Sequence, residues 1–438
     1  MHQVQHVKNL TAKLKENYIC FDTSDTGTGK TYSAIATAKY MEMDVFIICP
    51  KTIICSWVNV VKKFNINCIG ISNYELIIKE KYYKVNTGIK SKMSSKCPYI
   101  SKTDDQYLYS WKLPENTLII FDEAHKCSNH QALCGNVLLS LKNVYSVKNP
   151  LLLITATICE SPHKFKLFSV LLKWCSSYNS VFHWLEDSYN PLAASKIINE
   201  RLAPKNMCKV KISDLGDSFK KNNISAEYFD TKISDLNQID KLHEEIKECY
   251  DEMNDIDYDR STKLSGLAKV VKLRMKIELL KVPIFIDLAQ QYIDNNLSVV
   301  IFVNYTATLE LLAKHLETTC LIHGEQTIET RLNNIKNFVN DKKRIIVCNI
   351  TSGGEGISLN DIHGNHPRVA LISPPMSGTR LIQACGRISR INSKTPSFNK
   401  IIYANTLTEK KFCNRLKLKI DSNQIITDLD LTTYDDSV

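Results

Sequence analysis

Short apolar runs alternate with stretches of helical character twice along the chain, and this alternation constrains the fold more than any other feature. In the first half the runs are Tyr18–Asp22, Val45–Pro50, Cys68–Ser72, Leu118–Asp122 and Leu151–Thr155. In the second half they are Val299–Val303, Cys320–His323, Arg344–Asn349, Val369–Ser373 and Lys400–Ala404. Most residues in these runs are apolar, which is typical of parallel strands covered by helices on both faces. The sequence therefore predicts the α/β class, with two doubly wound parallel sheets.

The length of the chain agrees with two domains, since 438 residues exceed what one hydrophobic core ordinarily holds. From about Ser161 to Pro283 the pattern changes, and apolar residues such as Leu236 and Ile246 recur at helical spacing. The sequence therefore predicts two lobes joined by a helical connector. We place the parts at residues 1–160 with a basic insertion at about 79–112, 161–283 for the connector, 284–420 for the second lobe and 421–438 for an acidic tail.

The helix predicted at Leu267–Lys281, within the connector, carries a row of lysines, namely Lys269, Lys272, Lys276 and Lys281. Charged residues along a helix usually form a solvated face, so we expect this helix to pack on the lobes as part of the connector. The alternative is a basic helix that faces nucleic acid.

The composition excludes several classes of protein. Hydrophobic residues make up 44% and charged residues 23%, a balance typical of soluble globular chains. No apolar run approaches the roughly 20 residues of a membrane span, and the start of the chain lacks the apolar core of a signal peptide. We therefore expect no membrane association and an intracellular location, cytoplasmic or nuclear. The fifteen cysteines include no C-x-x-C pair, so we expect reduced thiols and no zinc site.

Charge is distributed unevenly along the chain. The formal net charge is +10, yet residues 421–438 carry five aspartates and no lysine or arginine. The remaining body is therefore more basic than the total indicates, which suits a polyanionic partner such as nucleic acid. The acidic end is expected to be a solvated terminus.

The strongest local motif is Gly27-Thr28-Gly29-Lys30-Thr31, which directly follows the first predicted strand and opens a helix. Such a loop points its N–H groups at phosphate oxygens, and the helix N-terminus reinforces them. Lys30 is expected to reach the β- and γ-phosphates of a nucleotide, and the Thr31 hydroxyl to bind Mg²⁺. The first glycine of the full G-x-x-x-x-G-K-T pattern is replaced by Ser24.

A second motif, Asp122-Glu123-Ala124-His125, ends the run beginning at Leu118. Carboxylates at the carboxyl end of such a strand lie where α/β sheets bind ligands. Asp122 is expected to hold Mg²⁺, and Glu123 to orient and deprotonate the attacking water. Thr155 and Thr157 end the next strand and could relay the γ-phosphate state; the alternative is a plain strand-end turn.

The second half carries a glycine-rich stretch, Thr351–Ser358, and then Gln383-Ala384-Cys385-Gly386-Arg387-Ile388-Ser389-Arg390. Arg387 and Arg390 are three residues apart, which is about one helical turn, so both could face one cleft. Arginines placed in this way neutralise charge on a phosphoryl group in transfer. The alternative is a pair of surface arginines bonded to acidic residues.

Taken in order, these motifs resemble those of superfamily 2 helicases and translocases over nearly the whole chain. The segments Ile48–Trp57, Ile71–Glu75, Val300–Tyr305 and Ile322–Gly324 look closest to the SWI/SNF-like DNA translocase branch. Gln383–Arg390 has the more general Q-x-x-G-R-x-x-R form of the superfamily, and chromatin substrates are not expected. The compact build is similar to small helicases of large DNA viruses, which would place the protein in a viral factory in the host cytoplasm.

The resemblance implies two RecA-like lobes that hydrolyse ATP with Mg²⁺ between them and move along nucleic acid as a monomer. DNA, in particular duplex DNA, is the expected partner; an RNA-dependent helicase and a catalytically silent nucleic-acid clamp are the alternatives. The implied catalytic residues are Lys30, Asp122, Glu123, Gln383, Arg387 and Arg390. The implied nucleotide-binding residues are Gln3, Thr26, Gly27, Thr28, Gly29, Lys30, Thr31, Gly354 and Glu355, with Gln3 reading the adenine. The implied metal ligands are Thr31 and Asp122. The implied nucleic-acid contacts are Lys51, Thr52, Trp57, Ser72, Asn73, Asn304, Thr306, Gly324 and Ser352. The implied coupling residues are His125, Thr155 and Thr157.

Overall fold

The computed structural model describes residues 2–85, 94–103, 108–129, 131–159, 161–178, 190–254, 260–353, 356–427 and 434–435. The chain forms two compact units. Unit 1 comprises Met1–Gly216 and Lys419–Asp430, and unit 2 comprises Asp217–Leu418 and Leu431–Val438. The division at residue 216 falls inside the predicted helical connector. In the described part of the chain no helix combines the length and the apolar character that crossing a membrane requires.

Unit 1 is built on a six-stranded parallel sheet. The strands described in unit 1, six of which form this sheet, are β1 (Ile19–Asp22), β2 (Asp44–Ile48), β3 (Cys68–Ser72), β4 (Lys81–Tyr82), β5 (Ser95–Lys96), β6 (Ile100–Lys102), β7 (Tyr109–Trp111), β8 (Thr117–Asp122), β9 (Leu151–Ile154) and β10 (Met207–Cys208). Its helices are α1 (His2–Asn17), α2 (Lys30–Tyr40), α3 (Ile54–Phe64), α4 (Tyr74–Ile77), α5 (Leu133–Leu139), α6 (Lys166–Leu171) and α7 (Pro191–Asn206). The sheet order is β10-β1-β9-β8-β2-β3, and the predicted basic insertion contains two short antiparallel pairs, β4–β5 and β6–β7.

The sheet of unit 1 is buried on both faces because successive apolar side chains alternate between two cores. Phe21, Leu153 and Phe121 lie side by side on β1, β9 and β8 and belong to one core, whereas Ile120 and Leu152 belong to the other. This arrangement explains why the strands read as nearly continuous apolar runs.

Unit 2 is built on a seven-stranded parallel sheet. Its strands are β11 (Asn222–Phe229), β12 (Ser298–Val303), β13 (Leu321–Ile322), β14 (Ile345–Asn349), β15 (Arg368–Ile372), β16 (Ser397–Ala404) and β17 (Tyr434–Asp435). Its helices are α8 (Ile233–Asn254), α9 (Arg260–Leu280), α10 (Val282–Asp294), α11 (Thr306–His315), α12 (Ile328–Val339), α13 (Ile350–Gly353) and α14 (Gly378–Cys385). The sheet order is β13-β14-β12-β15-β16-β11-β17. The last helix, α15 (Leu407–Thr427), starts in unit 2 and continues into the predicted acidic tail.

The predicted α/β class with two parallel sheets is confirmed. The segment read as a helical connector contains the long helices α8 and α9, whose apolar faces share a core that includes Ile246 and Leu273. It also contains two strands that the sequence pattern did not indicate. β10 is only two residues long, and β11 pairs with β16 over its whole length.

Candidate active site

The glycine loop connects β1 to α2 in a conformation that requires its glycines. Gly27 has a φ of 87° and Gly29 a φ of 96°, in the left-handed region that side chains disfavour. A Cβ atom added at Gly29 would also lie 2.4 Å from Nε2 of Gln3. The backbone conformation therefore favours glycine at both positions, and at Gly29 a side chain would also displace the amide end of Gln3.

Lys30 opens α2 and points its amine into the loop. Its Nζ donates to the carbonyl oxygens of Ser24, at 2.7 Å, and Asp25, at 3.0 Å. Burial lowers the pKa of Lys30, while the charges of nearby carboxylates, among them Glu123 and Asp122, oppose that shift. The loop lysine and the two carboxylates of the second motif thus share one neighbourhood within unit 1.

The remaining predicted nucleotide-binding residues of unit 1 differ in their exposure and in their contacts. Thr31 follows Lys30 on α2 and is partly exposed, as is Thr26. Thr28 is buried and its hydroxyl donates to the carbonyl of Asp25 at 2.8 Å. Gln3 lies on α1 and its Nε2 donates to the Thr28 carbonyl at 3.3 Å, which places this side chain against the loop.

Asp122 ends β8 and is held by two donors. Its Oδ2 accepts a 2.8 Å hydrogen bond from the indole N–H of Trp57, and its Oδ1 accepts one of 2.9 Å from the backbone of Glu123. Burial and the charge of Glu123 raise the pKa of Asp122 to about 7, against the opposing effects of Trp57 and Lys30. A nearby cation strongly stabilises the ionised form of a carboxyl group whose pKa is raised in this way.

Glu123 has a φ of 58°, a left-handed conformation that is uncommon for a residue with a side chain. Its Oε2 lies 3.3 Å from Nδ1 of His125, and the same Nδ1 lies 3.1 Å from Oγ1 of Thr155. The Thr155 hydroxyl donates to the Thr157 carbonyl at 2.7 Å. The residues predicted to couple hydrolysis to movement therefore form one continuous chain of contacts that begins at Glu123.

Several of the residues of unit 1 that were predicted to contact nucleic acid are buried. Trp57 is fully buried beneath Asp122, so its side chain is not at a nucleic-acid surface. Ser72 is also fully buried and donates to the Lys81 carbonyl of β4, while Asn73 is buried and caps α4. Lys51 and Thr52 are exposed, in a 3-10 turn that follows β2. Of this group, only these two are placed where a phosphate could reach them.

In unit 2 the two predicted arginines converge, although not on a helix. α14 ends at Cys385, so the expectation that Arg387 and Arg390 stand one helical turn apart is wrong. Nη1 of Arg387 lies 3.4 Å from the carbonyl oxygen of Ile357, and Nη2 of Arg390 lies 3.2 Å from the same atom. Nε of Arg390 also donates to Ser358 at 3.2 Å. The glycine-rich stretch therefore brings the two guanidinium groups together.

The other residues predicted to act with these arginines are Gln383, Gly354 and Glu355. Gln383 is buried on α14. Gly354 and Glu355 lie outside the described residues.

Two predicted nucleic-acid contacts of unit 2 meet at the carboxyl ends of β13 and β14. Gly324 is exposed, and a Cβ atom placed on it would lie 3.7 Å from Oγ of Ser352. Arg331, which the sequence did not single out, donates to the carbonyl of Ser352 from α12. Its position in the first turn of that helix carried no sequence signal.

Asn304 is engaged by a residue that the sequence also did not single out, Glu278 of α9. This buried carboxylate accepts hydrogen bonds from the Asn304 side chain at 2.7 Å, the Tyr305 backbone at 3.1 Å and the Ser373 hydroxyl at 2.6 Å. Asn304 is therefore part of an internal network, whereas Thr306 is exposed at the start of α11. The sequence did offer one signal for Glu278, because it is a lone acidic residue near the apolar end of α9.

Two family models match the chain. The one described as "Type III restriction enzyme, res subunit" matches residues 1–160, and "Helicase conserved C-terminal domain" matches residues 281–392. A protein of Acanthamoeba polyphaga mimivirus, whose name gives it as ATP-dependent RNA helicase L364, is 35% identical over 456 residues. The match spans 98% of this chain and 84% of that protein. The chain belongs to the superfamily 2 helicases.

Comparison with solved structures concerns the fold of the chain. The Hef helicase domain of Pyrococcus furiosus has a TM-score of 0.50 and 14% identity, covering 93% of this chain and 97% of that one. The SWI2/SNF2 ATPase core of Sulfolobus solfataricus, in complex with dsDNA, has a TM-score of 0.39 and 16% identity, covering 98% and 94%. The second likeness is too low to assign the branch. The two sheets are RecA-like lobes, and the protein is a nucleic-acid-dependent ATPase of a family that uses ATP and Mg²⁺ in general.

Proposed function

We propose that this superfamily 2 helicase couples ATP hydrolysis to movement along nucleic acid, with duplex DNA as the first candidate substrate. The observation that carries the proposal is the shared neighbourhood of Lys30, Asp122 and Glu123, from which contacts continue to His125 and Thr155. An ATPase alone needs the first three residues. The contacts that continue from Glu123 to His125 and Thr155 support the proposal that the state of ATP hydrolysis is transmitted away from the nucleotide.

In this mechanism the glycine loop wraps the phosphates of ATP with its N–H groups, and Lys30 binds the β- and γ-phosphate oxygens. Thr31 and Asp122 would hold Mg²⁺, which when bound neutralises charge on those oxygens. Glu123 accepts a proton from the attacking water. Arg387 and Arg390 of unit 2 are the groups proposed to stabilise the charge on the phosphoryl group in transfer.

The nucleic acid is proposed to lie against exposed groups of both lobes. In unit 1 these are Lys51 and Thr52, and in unit 2 they are Thr306 and Gly324, with the half-buried Ser352 beside Gly324. Such residues contact the sugar-phosphate backbone through hydroxyls, N–H groups and charge, and they do not read base sequence. Binding is therefore expected to be independent of sequence and to weaken steeply with salt.

The choice of substrate rests on two different observations. The segments Ile48–Trp57 and Val300–Tyr305 resemble the DNA translocase branch. RNA is the second candidate, because the mimivirus relative is named as an RNA helicase.

The deciding experiment measures phosphate release with duplex DNA, single-stranded DNA and RNA of equal length. Stimulation by duplex DNA above the other two is expected, together with displacement of a third strand from a DNA triplex. Stimulation by RNA alone would transfer the proposal to the second candidate. Turnover that no nucleic acid changes would contradict both.

A further inference from the structure

The end of β10 and the segment that follows it, Lys209–Ile212, are hydrogen-bonded through main-chain groups to the glycine loop of residues 23–29, called the phosphate loop below. The backbone N–H of Thr23 donates to the Cys208 carbonyl at 2.9 Å, and that of Asp25 donates to the Val210 carbonyl at 3.1 Å. This segment thus continues the pairing of β10 with β1 as far as the loop itself.

Side chains of the loop bind the same segment from the other direction. Oγ of Ser24 accepts a 2.9 Å hydrogen bond from the backbone of Val210, and Oδ2 of Asp25 accepts one of 2.8 Å from that of Ile212. Nζ of Lys209 lies 3.3 Å from Oδ1 of Asp25, with both side chains more than nine-tenths buried. Such buried bonds fix the relative positions of the two segments more firmly than exposed ones do.

Ser24 and Asp25 are also the two residues whose carbonyl oxygens accept the hydrogen bonds of Lys30. Each of them therefore contacts the loop lysine through its main chain and the segment Lys209–Ile212 through its side chain. On its other side Ser24 is held by Asp22, to which its hydroxyl donates at 2.5 Å. A glycine at position 24, as in the full motif, would offer the Val210 N–H no acceptor.

We propose that Ser24, Asp25 and Lys209 are positioning residues that transmit the state of Lys30 to the chain leading into unit 2. The inference rests on the proposed function. When the γ-phosphate of ATP takes the Lys30 amine, the carbonyls of residues 24 and 25 lose their cation and their peptide units readjust. The side chains of the same residues carry that readjustment to Lys209–Ile212. Unit 2 begins at Asp217, five residues after Ile212.

The first test compares Lys209→Met with Lys13→Met. Nζ of Lys13 donates to the carbonyl of Met207 at 2.6 Å, so the control also loses a lysine bonded to β10 but leaves the phosphate loop untouched. Basal ATP turnover and KM for ATP are measured alongside the ratio of nucleic-acid-stimulated to basal turnover. Lys209→Met is expected to lower that ratio about fivefold or more, the lower end of typical coupling between sites, and Lys13→Met to leave it unchanged. Equal losses in both variants, or none in Lys209→Met, would overturn the proposal.

The second test does not depend on nucleic acid, so it separates this proposal from the proposed function. Amide hydrogen exchange at Val210 and Ile212 is followed as a non-hydrolysable ATP analogue binds with Mg²⁺. Binding is expected to change exchange at both amides by about fivefold, since each donates to a loop side chain. Ser24→Gly should abolish the change at Val210. An unchanged rate in the wild type, with the analogue bound, would refute the transmission even if nucleic acid stimulates turnover.

Discussion

Glu123 is held in a left-handed backbone conformation, which costs about 1–3 kcal/mol for a residue with a side chain. We predict that Glu123→Gln abolishes most hydrolysis while ATP still binds. Loss of a general base typically lowers turnover by about 10²–10⁴-fold. Turnover is measured by phosphate release, and affinity by fluorescence of a labelled ATP analogue.

Glu42→Gln is the matched control for this prediction. Glu42 also has a left-handed backbone, with a φ of 56°, but it is exposed in the turn after α2. Its substitution should leave both turnover and affinity unchanged. Near-normal turnover in Glu123→Gln would remove Glu123 from the role of general base.

Trp57 supports Asp122 through a hydrogen bond to a carboxylate, a kind of bond that contributes about 1.5–3 kcal/mol. Trp57→Phe keeps most of the apolar volume but removes the donor that opposes the raised pKa of Asp122. We predict that the Mg²⁺ concentration for half-maximal ATPase rises and that the free energy of unfolding falls by about that amount. Magnesium titrations and urea unfolding measure the two effects. An unchanged magnesium requirement would show that Trp57 serves packing alone.

At the scale of elements, one buried carboxylate at the start of α15 bonds to α8 and to Lys281, the residue between α9 and α10. Glu409 lies 2.9 Å from Nζ of Lys281 and 2.8 Å from Nε2 of His243. Burial alone would raise its pKa, but Lys281 and His243 outweigh burial and lower it to about 2, from an ordinary value of 4.5. Because the folded-state pKa is depressed, the ionised group stabilises the fold above pH 4.5, and this contribution is lost as pH falls towards 2.

We predict that Glu409→Gln lowers the free energy of unfolding by about 2–3 kcal/mol at pH 7 and by clearly less at pH 3.5. Urea unfolding of wild type and variant at both values measures the difference. Glu248→Gln, an exposed position on α8, provides the control and should have little effect at either pH. A loss of stability that is the same at pH 7 and pH 3.5 would contradict the ionic role of Glu409.

The elements that the sequence predicted well are those defined by their own residues. Cys68–Ser72 was predicted with its observed bounds, and the run at Leu118–Asp122 differs from β8 by one residue. The helix α1 and the strand β10 were missed. α1 carries polar residues around most of its surface, and β10 owes its pairing to β1, which lies far away in the chain. Pairing between distant segments leaves no periodic trace in either of them.

At the scale of the whole molecule, the candidate site shows the same difference between features that lie within one segment and features that depend on contacts between distant segments. Lys30 and Glu123 could be located because each lies in a short motif at a strand end, where the chemistry and the fold coincide. The burial of Trp57 beneath Asp122 could not be predicted, because it depends on the packing of α3 against a strand more than 60 residues away. The roles assigned to Arg387 and Arg390 stay predictions, although their guanidinium groups do converge.

The whole molecule carries a net charge of +10, which suits binding to a polyanion. The dependence of nucleic-acid affinity on salt concentration therefore tests how nucleic acid is bound. If backbone phosphates supply the affinity, log affinity should fall linearly with log salt concentration. Arg331 lies beside Ser352 at the carboxyl ends of β13 and β14, so we predict that Arg331→Gln weakens binding for all sequences and reduces the slope by about 1. Fluorescence anisotropy with labelled duplexes between 50 and 200 mM salt, about the range over which such contacts are resolved, measures it.

The control for this last prediction is Lys314→Gln. Lys314 is exposed in the final turn of α11, a helix that begins after the carboxyl end of β12 and runs back along the sheet. It therefore lies towards the amino ends of the strands, the opposite edge from Ser352. Both substitutions remove one positive charge, so a general electrostatic attraction would reduce affinity equally in the two variants. A local phosphate contact at Arg331 instead requires that only Arg331→Gln changes the slope, and equal slopes in both variants would remove this edge of the sheet from the nucleic-acid path.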